Sequence, residues 1–354
     1  MKKFFFLAAV LSGVLFTACS DEKENEPRPG TIVFEVSAVN KISDGLDTRN
    51  IYSQTPVQTV STVKVYAFKY DGEDFKYFHT FDVTGWPAGG TNYHYEVPTD
   101  EIFTDGGVFK FVAVGQNSGD TSYTVGGASG PTISTTYDSF VATGLPIIQY
   151  DIFAGGTDAI TIAEGGTARV AITMTRKVAG VMGYFSNVPT AVNGTPVTAL
   201  VVIVQETGNS AVNLVTGVGG TPSILSGFNV VGRINFASPG TPADGFYPSN
   251  NVVAAQLDNT QLDGLFVMPM ASATLKVRLY GAGSGDGQLL KEWTVKNTAG
   301  DTSFPLLANH LYSLGTKPTT NSTTGDNPIN LSKDEVITIT LSPAWDTIHG
   351  LDVQ

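Results

Sequence analysis

The chain has 354 residues and a formal net charge of −12, and only 15% of its residues are charged. Such a composition argues against nucleic-acid binding, because phosphate contacts require clustered Lys and Arg. The single cysteine excludes an internal disulfide and a thiolate zinc site. Together with many Thr, Ser and Val, the 39 glycines predict strands and turns, in a chain long enough for two domains.

The amino terminus has the pattern of an export signal over residues 1–18. Two lysines precede an apolar run at residues 4–16, which is shorter than the ~20 residues that a membrane-spanning helix needs. Ala18 then precedes the single cysteine, Cys19. This pattern resembles the lipobox of bacterial lipoproteins, which implies that Cys19 is acylated and anchors the chain to a membrane. The alternative is an ordinary secretory signal in which Cys19 is incidental.

A polar segment separates this signal from the folded part of the chain. Residues 20–30 are rich in Asp, Glu, Asn and Pro and cannot bury apolar surface, so residues 19–30 are predicted to form a solvated acidic tether. The acidic run also resembles the export tag that directs Bacteroidetes lipoproteins to the outer face of the outer membrane. A generic charged linker is the alternative.

Alternating apolar residues predict the strands of a first domain at residues 31–166. Ile32, Phe34 and Val36 share one face of the first strand. Residues 60–70 form the next strand, and Asp71-Gly72 predicts a hairpin turn into residues 75–81. Residues 108–114 form a buried strand, and a long surface loop is expected at residues 116–136.

A second domain is predicted at residues 167–354, with its boundary at Gly165-Gly166. Apolar, β-branched segments recur there and are separated by Gly, Pro and Asn. The segments lie at residues 168–181, 197–205, 273–280, 289–295 and 336–341. We therefore expect an all-β fold of two successive sandwiches.

The residue patterns predict no enzyme, metal site or cofactor. The four histidines lack the short spacing of metal ligands; they are His79, His94, His310 and His349. The glycine-rich segment at residues 281–287 lacks the following helix of a phosphate-binding loop and is interpreted as a hairpin loop. Abundant carboxylates leave open a glycosidase pair, for which two inward-facing groups about 5–10 Å apart would be required.

Three tryptophans are the candidates for stacking on sugars, as in carbohydrate-binding modules. They are Trp86, Trp293 and Trp345. Packing in a core is the alternative for each, and the one that we favour.

Several segments, taken in chain order, resemble the fimbrillin subunits of type V pili in Bacteroidales, and together they cover nearly the whole chain. Besides the lipobox at Cys19, the matching segments are residues 32–37, 63–72, 109–114, 172–180, 309–314 and 337–346. The resemblance implies two transthyretin-like Greek-key β-sandwich domains and surface export as a lipoprotein. It also implies polymerisation with neighbouring subunits into an adhesive fimbria.

The same resemblance implies proteolytic removal of the first strand. In the family, a trypsin-like protease cuts after an arginine in the loop that follows this strand, and a neighbouring subunit fills the resulting groove. Arg49 lies in the corresponding place, which makes residues 31–49 removable. Arg28 precedes the strand, so cutting there would free no groove. The alternative is that Arg49 is only an exposed loop residue and that the strand stays in place.

The candidate donor strand lies within residues 334–354. Its apolar residues fall on one face and its hydroxyl residues on the other, which suits a strand that inserts into a groove. The apolar set is Ile337, Ile339, Leu341, Pro343 and Trp345, and the hydroxyl set is Thr338, Thr340 and Ser342. The same alternation also suits the last strand of the protein's own sheet.

The leading hypothesis is a non-enzymatic fimbrial subunit that is lipidated, cut at Arg49 and polymerised by strand exchange. Its expected partners are other subunits, an Arg-specific protease, the outer membrane through the lipid, and a receptor on a host or bacterial surface. The main alternative is a surface glycan-binding lipoprotein of a polysaccharide-uptake system. A β-sandwich hydrolase is a third hypothesis.

Overall fold

The computed structural model describes twelve stretches of the chain, which lie within the two predicted domains except for Gly30 at the end of the predicted tether. These are residues 30–38, 60–87, 92–98, 102–148, 150–183, 185–220, 223–236, 245–247, 266–284, 287–314, 329–332 and 337–342. Twenty-five β-strands lie in this part of the chain, which confirms the predicted all-β class. Within the same residues, no helix has the length and apolarity required to cross a membrane.

The first eleven strands supply an eight-stranded sheet and part of a smaller one. They are β1 (Thr31–Ala38), β2 (Thr62–Tyr70), β3 (Phe75–Asp82), β4 (Asn92–Pro98), β5 (Gly107–Gln116), β6 (Tyr123–Val125), β7 (Val141–Gly144), β8 (Ile147–Ile148), β9 (Phe153–Gly156), β10 (Ile160–Ile162) and β11 (Ala168–Arg176). The strand order in the first sheet is β3-β2-β5-β9-β11-β1-β4, and β10 pairs with β5.

Nine of the other strands build a ten-stranded second sheet together with β8, and the rest form short local pairs or join the smaller sheet. They are β12 (Ala179–Gly183), β13 (Phe185–Ser186), β14 (Ala191–Val192), β15 (Thr195–Pro196), β16 (Ala199–Gly208), β17 (Ala211–Asn213), β18 (Ser223–Asn235), β19 (Phe266–Val267), β20 (Met270–Gly281), β21 (Gln288–Lys296), β22 (Phe304–Leu306), β23 (Leu311–Leu314), β24 (Ile329–Asn330) and β25 (Ile337–Ser342). The strand order in the second sheet is β18-β16-β20-β21-β25-β23-β12-β19-β8, and β22 pairs with β20.

The hairpin of β2 and β3 forms where the sequence predicts it. The two strands pair antiparallel, from Lys64 opposite Asp82 to Tyr70 opposite Phe75. In the turn, the Asp71 carboxylate accepts hydrogen bonds from two backbone N–H groups that follow it. Gly72 has φ of 107°, a conformation that glycine adopts without steric cost.

Both faces of β2 and β5 are buried, so the first sheet lies between two apolar clusters. The first core contains Val65 of β2 and Phe111 of β5, which point to one face of the sheet. Phe68 of β2 and Val112 of β5 point to the opposite face, where a third cluster lies. The second core lies against the second sheet and contains Leu200, among others.

The chain changes from the first sheet to the second after β11. This strand pairs with β1 and β9 of the first sheet, and β12 pairs with β19 and β23 of the second. The change therefore falls between Arg176 and Ala179, C-terminal to the boundary predicted at Gly165-Gly166. The apolar run at residues 168–181 accordingly contains two strands rather than one.

Short strands also cross between the two parts of the chain. β8 comes from the first part of the chain but pairs with β19 in the second sheet. Conversely, β17 comes from the second part of the chain but pairs with β7 in the three-stranded sheet β17-β7-β6. The third cluster, which we call the third core, joins residues from both parts, including Phe68, Phe140, Leu214 and Met268. The two parts therefore share a core.

Candidate functional site

The first strand lies inside the first sheet rather than at its edge. β1 pairs in parallel with β11, from Ile32 opposite Ala168 to Ala38 opposite Met174. On its other side, β1 pairs antiparallel with β4, and Phe34 lies opposite Tyr95. The strand nearest the amino terminus therefore has backbone hydrogen-bonding neighbours along both edges.

The inward face of β1 is fully buried in the first core. Ile32 and Phe34 are both 0% exposed, and Val36 is 1% exposed. The Phe34 ring centroid lies 5.3 Å from that of Phe81 and 5.1 Å from that of Phe111. Burial of each such side chain contributes about 1.5–3 kcal/mol. The three residues predicted to share one face therefore do so, and they form the centre of the first core.

Removal of β1 would leave an apolar groove between two strands that have lost a partner. The walls of this groove would be β11 and β4, and Val97, Val170 and Ile172 from these strands are buried in the first core with β1. The backbone N–H and C=O groups that now pair with β1 would become available to another strand. This groove, with β1 in place, is the candidate functional site.

The outward face of β1 carries polar contacts to both neighbouring strands. Oε1 of Glu35 lies 3.1 Å from Nε of Arg169 on β11. The same oxygen lies 3.6 Å from Nδ1 of His94 on β4. The Ser37 hydroxyl donates a hydrogen bond to Oγ1 of Thr173, also on β11. These contacts depend on the register of β1 between β4 and β11, which the alternation of apolar residues alone does not determine.

Two of the predicted modification sites lie outside the described residues. These are the lipidation site, Cys19, and the processing site, Arg49. Both stay predictions from the sequence.

The predicted donor strand forms β25, which pairs within the second sheet of the chain itself. β25 runs parallel to β21, with Ile337 opposite Val295, and antiparallel to β23, with Leu341 opposite Tyr312. Ile337 is 0% exposed in the second core, and Thr338 is exposed. This is the arrangement expected for the last strand of the protein's own sheet. Pro343 and Trp345 lie outside the described residues.

Two of the three tryptophans are buried in different cores. Trp86 is 7% exposed and belongs to the first core, with the ring of Tyr93 at 6.3 Å. Trp293 is 3% exposed and belongs to the second core, with Nζ of Lys291 at 4.4 Å from its ring centroid. These two therefore do not form an exposed platform for sugars. Trp345 lies outside the described residues.

The described histidines have separate surroundings. His79 packs its ring against Phe81 at 4.7 Å, and Nδ1 of His310 lies 2.7 Å from the carbonyl oxygen of Ala308. In the part of the chain that the structure describes, no group of three or more His, Cys, Asp or Glu side chains could hold a metal ion. His349 lies outside that part.

A buried polar cluster at the change of sheet was not predicted from the sequence. The Arg176 guanidinium donates to the Asp151 carboxylate, with Nε and Nη2 each 3.1 Å from Oδ2. Next to it, Lys177 donates from Nζ to the carbonyl oxygen of Val215 at 3.0 Å. Burial lowers the pKa of Lys177 to about 8. The only sequence signal is a pair of cations at the end of an apolar run.

No protein-family model and no curated protein matches this chain. Several solved structures from Bacteroidales resemble its fold. A candidate cell adhesion protein from Parabacteroides distasonis is 13% identical, with 89% of this chain and 96% of that chain covered and a TM-score of 0.45. A fimbrilin from Porphyromonas gingivalis is 14% identical, with 89% and 98% covered and a TM-score of 0.41.

A third structure comes from a candidate polysaccharide-binding protein of Bacteroides thetaiotaomicron. It is 13% identical to this chain, with 80% of this chain and 90% of that chain covered and a TM-score of 0.37. At these identities the likeness concerns the course of the chain alone.

Proposed function

We propose that this chain is a structural subunit of an adhesive fimbria on a bacterial surface. In this proposal the precursor is lipidated at Cys19 and held at the outer membrane by its acyl chains. A trypsin-like protease then cuts after Arg49, and the subunits polymerise by donor-strand exchange. The role is mechanical and adhesive, with neighbouring subunits and a surface receptor as partners. It involves no catalysis and no cofactor.

The position of β1 is the observation that carries this proposal. β1 is an inner strand of the first sheet, and it is the first of the described strands in chain order, so the segment after Ala38 joins it covalently to all the others. A single cut after Arg49, between Ala38 of β1 and Thr62 of β2, breaks no described strand. The cut would turn β1 into a separate segment that another strand can replace.

The carboxy-terminal segment is the proposed donor. To reach the groove of a neighbouring subunit, β25 has to leave β21 and β23, between which it pairs in the isolated chain. The alternating residues Ile337, Ile339 and Leu341 would then take the places of the inward residues of β1. The lost pairs in the donor's own sheet oppose the exchange, and the new pairs in the groove favour it.

The glycan-binding alternative is weakened by the burial of two tryptophans. An aromatic platform for sugars has to be exposed. Trp86 and Trp293 are buried in separate cores, so of the three predicted stacking residues only Trp345 is left for such a platform.

Limited proteolysis tests the proposed function. The sample is the precursor without residues 1–18 and with Cys19→Ser, treated with a low dose of trypsin. We expect a cut after Arg49, loss of the fragment that contains β1, and a ladder of oligomers. Mass spectrometry identifies the cut, and size-exclusion chromatography follows assembly.

Two variants serve as matched partners in this test. Arg49→Ala is expected to stay monomeric, whereas Arg28→Ala, which removes an arginine on the other side of β1, is expected to assemble normally. Resistance to cutting at Arg49, or cutting without any change in size, would overturn the proposal. A glycan array would then test the alternative.

A further inference from the structure

On the outward face of β1, the carboxylate of Glu35 has a polar partner on each wall of the groove. Glu35 lies directly opposite His94 in the antiparallel pairing with β4. On the other side, Glu35 lies opposite Ala171 of β11, and Arg169 reaches its carboxylate from two residues earlier in that strand. Both partners belong to the walls of the groove, and the carboxylate belongs to the strand that fills it.

We propose that Arg169 and His94 form a carboxylate-binding point on the rim of the groove that sets the register of the strand inside it. The inference rests on the proposed function, since it concerns the exchange of that strand. The segment that fits is extended, has apolar residues at alternate positions, and carries a carboxylate between the second and the third of them. β1 meets this description with Phe34, Glu35 and Val36.

The need for such a point follows from the geometry of a strand. Side chains alternate between the two faces, so a slip by one residue turns the apolar face outward and is strongly disfavoured. A slip by two residues keeps apolar side chains inward, and only their sizes oppose it. A slip that brings Val33 opposite His94 moves Glu35 to the place of Ser37, away from Arg169. The opposite slip brings Ser37 opposite His94 and moves Glu35 to the place of Val33, where it lies between Arg169 and the like-charged Glu96 of β4. Only the observed register therefore gives the carboxylate both Arg169 and His94 as partners and avoids a direct pairing with Glu96.

The same contact favours β1 over the proposed donor. On the donor strand, the residues that sequence alternation predicts to share the hydroxyl face are Thr338, Thr340 and Ser342, and none of them carries a charge. An incoming donor strand would therefore bind in the groove through its apolar face alone, without an ionic contact to Arg169. β1 is accordingly retained in the groove of a cut subunit until a donor displaces it.

Hydrogen exchange in the uncut precursor tests the contact without any need for strand exchange. Partly exposed ion pairs give small effects, so we expect Glu35→Gln and Arg169→Gln each to raise the exchange rates of the β1 amides about 2–5-fold. The exchanged pair, Glu35→Arg with Arg169→Glu, is expected to bring the rates back toward those of the native chain.

Lys64→Gln is the matched control for these variants. Lys64 forms an ion pair with Asp82 at 2.9 Å in the same sheet, between β2 and β3, away from the groove. If Glu35→Gln and Arg169→Gln leave the β1 amides at the rates of Lys64→Gln, the carboxylate-binding point is refuted, whatever the outcome of assembly.

Peptide binding to the cut precursor tests the register. The probes are labelled peptides with the sequence of residues 31–38, either native, with Glu35→Gln, or with Glu35→Gln and Ser37→Glu together, since position 37 lies opposite Thr173 and away from Arg169 in the native register. We expect the native peptide to bind about 2–5-fold more tightly than the other two, and the difference to vanish in the Arg169→Gln protein. Equal binding of all three overturns the role in register. Failure of every peptide to bind counts against strand exchange itself, and hydrogen exchange then decides the ionic contact alone.

Discussion

Lys177 shows how one buried cation makes the stability of the protein depend on pH. Its pKa is lowered by burial from 10.5 to about 8, so between these values the unfolded chain binds more protons than the folded one. The free energy of unfolding therefore rises with pH across this window, by up to about 3 kcal/mol. Below about pH 8, the pKa of Lys177 in the folded chain, the buried ammonium lowers the free energy of unfolding by its full amount.

Lys177→Met is expected to remove this rise. Methionine has a similar length and no charge, although the carbonyl of Val215 then lacks a donor, which costs about 1 kcal/mol. Urea unfolding of the variant and of the native chain, at pH 8 and at about pH 9.5, measures the effect. The comparison isolates Lys177, because buried tyrosines with raised pKa values, such as Tyr137, affect both chains equally. An unchanged pH dependence in the variant would show that another group causes it.

Phe34 is a fully buried aromatic residue of the first core and packs against two other rings, those of Phe81 and Phe111. Truncation of a fully buried phenylalanine costs about 3–5 kcal/mol, so Phe34→Ala is expected to lower the free energy of unfolding by that amount. Phe78→Ala is the control, since Phe78 is 37% exposed and lies on β3, at the opposite edge of the first sheet from β1 and β4. Equal losses in the two variants would argue against the central position of Phe34.

The sequence predicts the face on which each residue of β1 lies but not what the residue contacts. Alternation places Ile32, Phe34 and Val36 together, and the structure confirms this. The ionic partner of Glu35 is Arg169 on β11, which is far away in the sequence. No local pattern indicates that β1 and β11 pair, because register between distant strands depends on the whole sheet.

At the scale of elements, β25 contributes to the stability of the isolated subunit. Ile337 is fully buried in the second core, so Ile337→Ala is expected to destabilise the monomer by about 2–5 kcal/mol. Thr338→Ala, which changes the exposed neighbour, is expected to alter stability by less than about 0.5 kcal/mol. Denaturant unfolding of the uncut monomer measures both. If Ile337→Ala leaves the free energy of unfolding unchanged, β25 contributes little to the stability of the second sheet.

Most of the long strands are predicted from the sequence, whereas β4, the 13-residue β18 and the short strands are not. β2, β3 and β20 have enough residues for alternation to be visible. β6 forms within the predicted surface loop at residues 116–136, and β8 and β17 have only two or three residues. Strands this short have no periodicity, so their pairing is decided by tertiary contacts rather than by local sequence.

At the scale of the whole molecule, the shared third core predicts a single unfolding transition. β8 and β17 cross between the two parts, so neither part can unfold without loss of pairs in the other. Trp86 reports on the first core and Trp293 on the second, in variants that keep one tryptophan each. We expect coincident fluorescence transitions in denaturant. Two separate midpoints would show that the parts unfold independently.

Phe140 provides a second test of this coupling. It is 0% exposed in the third core, with the ring of Tyr66 at 4.8 Å. Phe140→Ala is expected to lower both tryptophan midpoints together. Ile133→Ala, at a position that is 83% exposed, is expected to move neither. A shift of only one midpoint would confine the effect of the third core to one part.

The pairing of β1 with β11 also determines the order in which the chain can fold. Thr167 accepts a hydrogen bond from Gly30 across 137 positions of sequence, and contacts of such separation form slowly, because a long loop has to close first. In a chain that is synthesised from its amino terminus, β1 therefore lacks one of its two neighbouring strands until β11 has followed. The first of the described strands is thus among the last to have both edges paired.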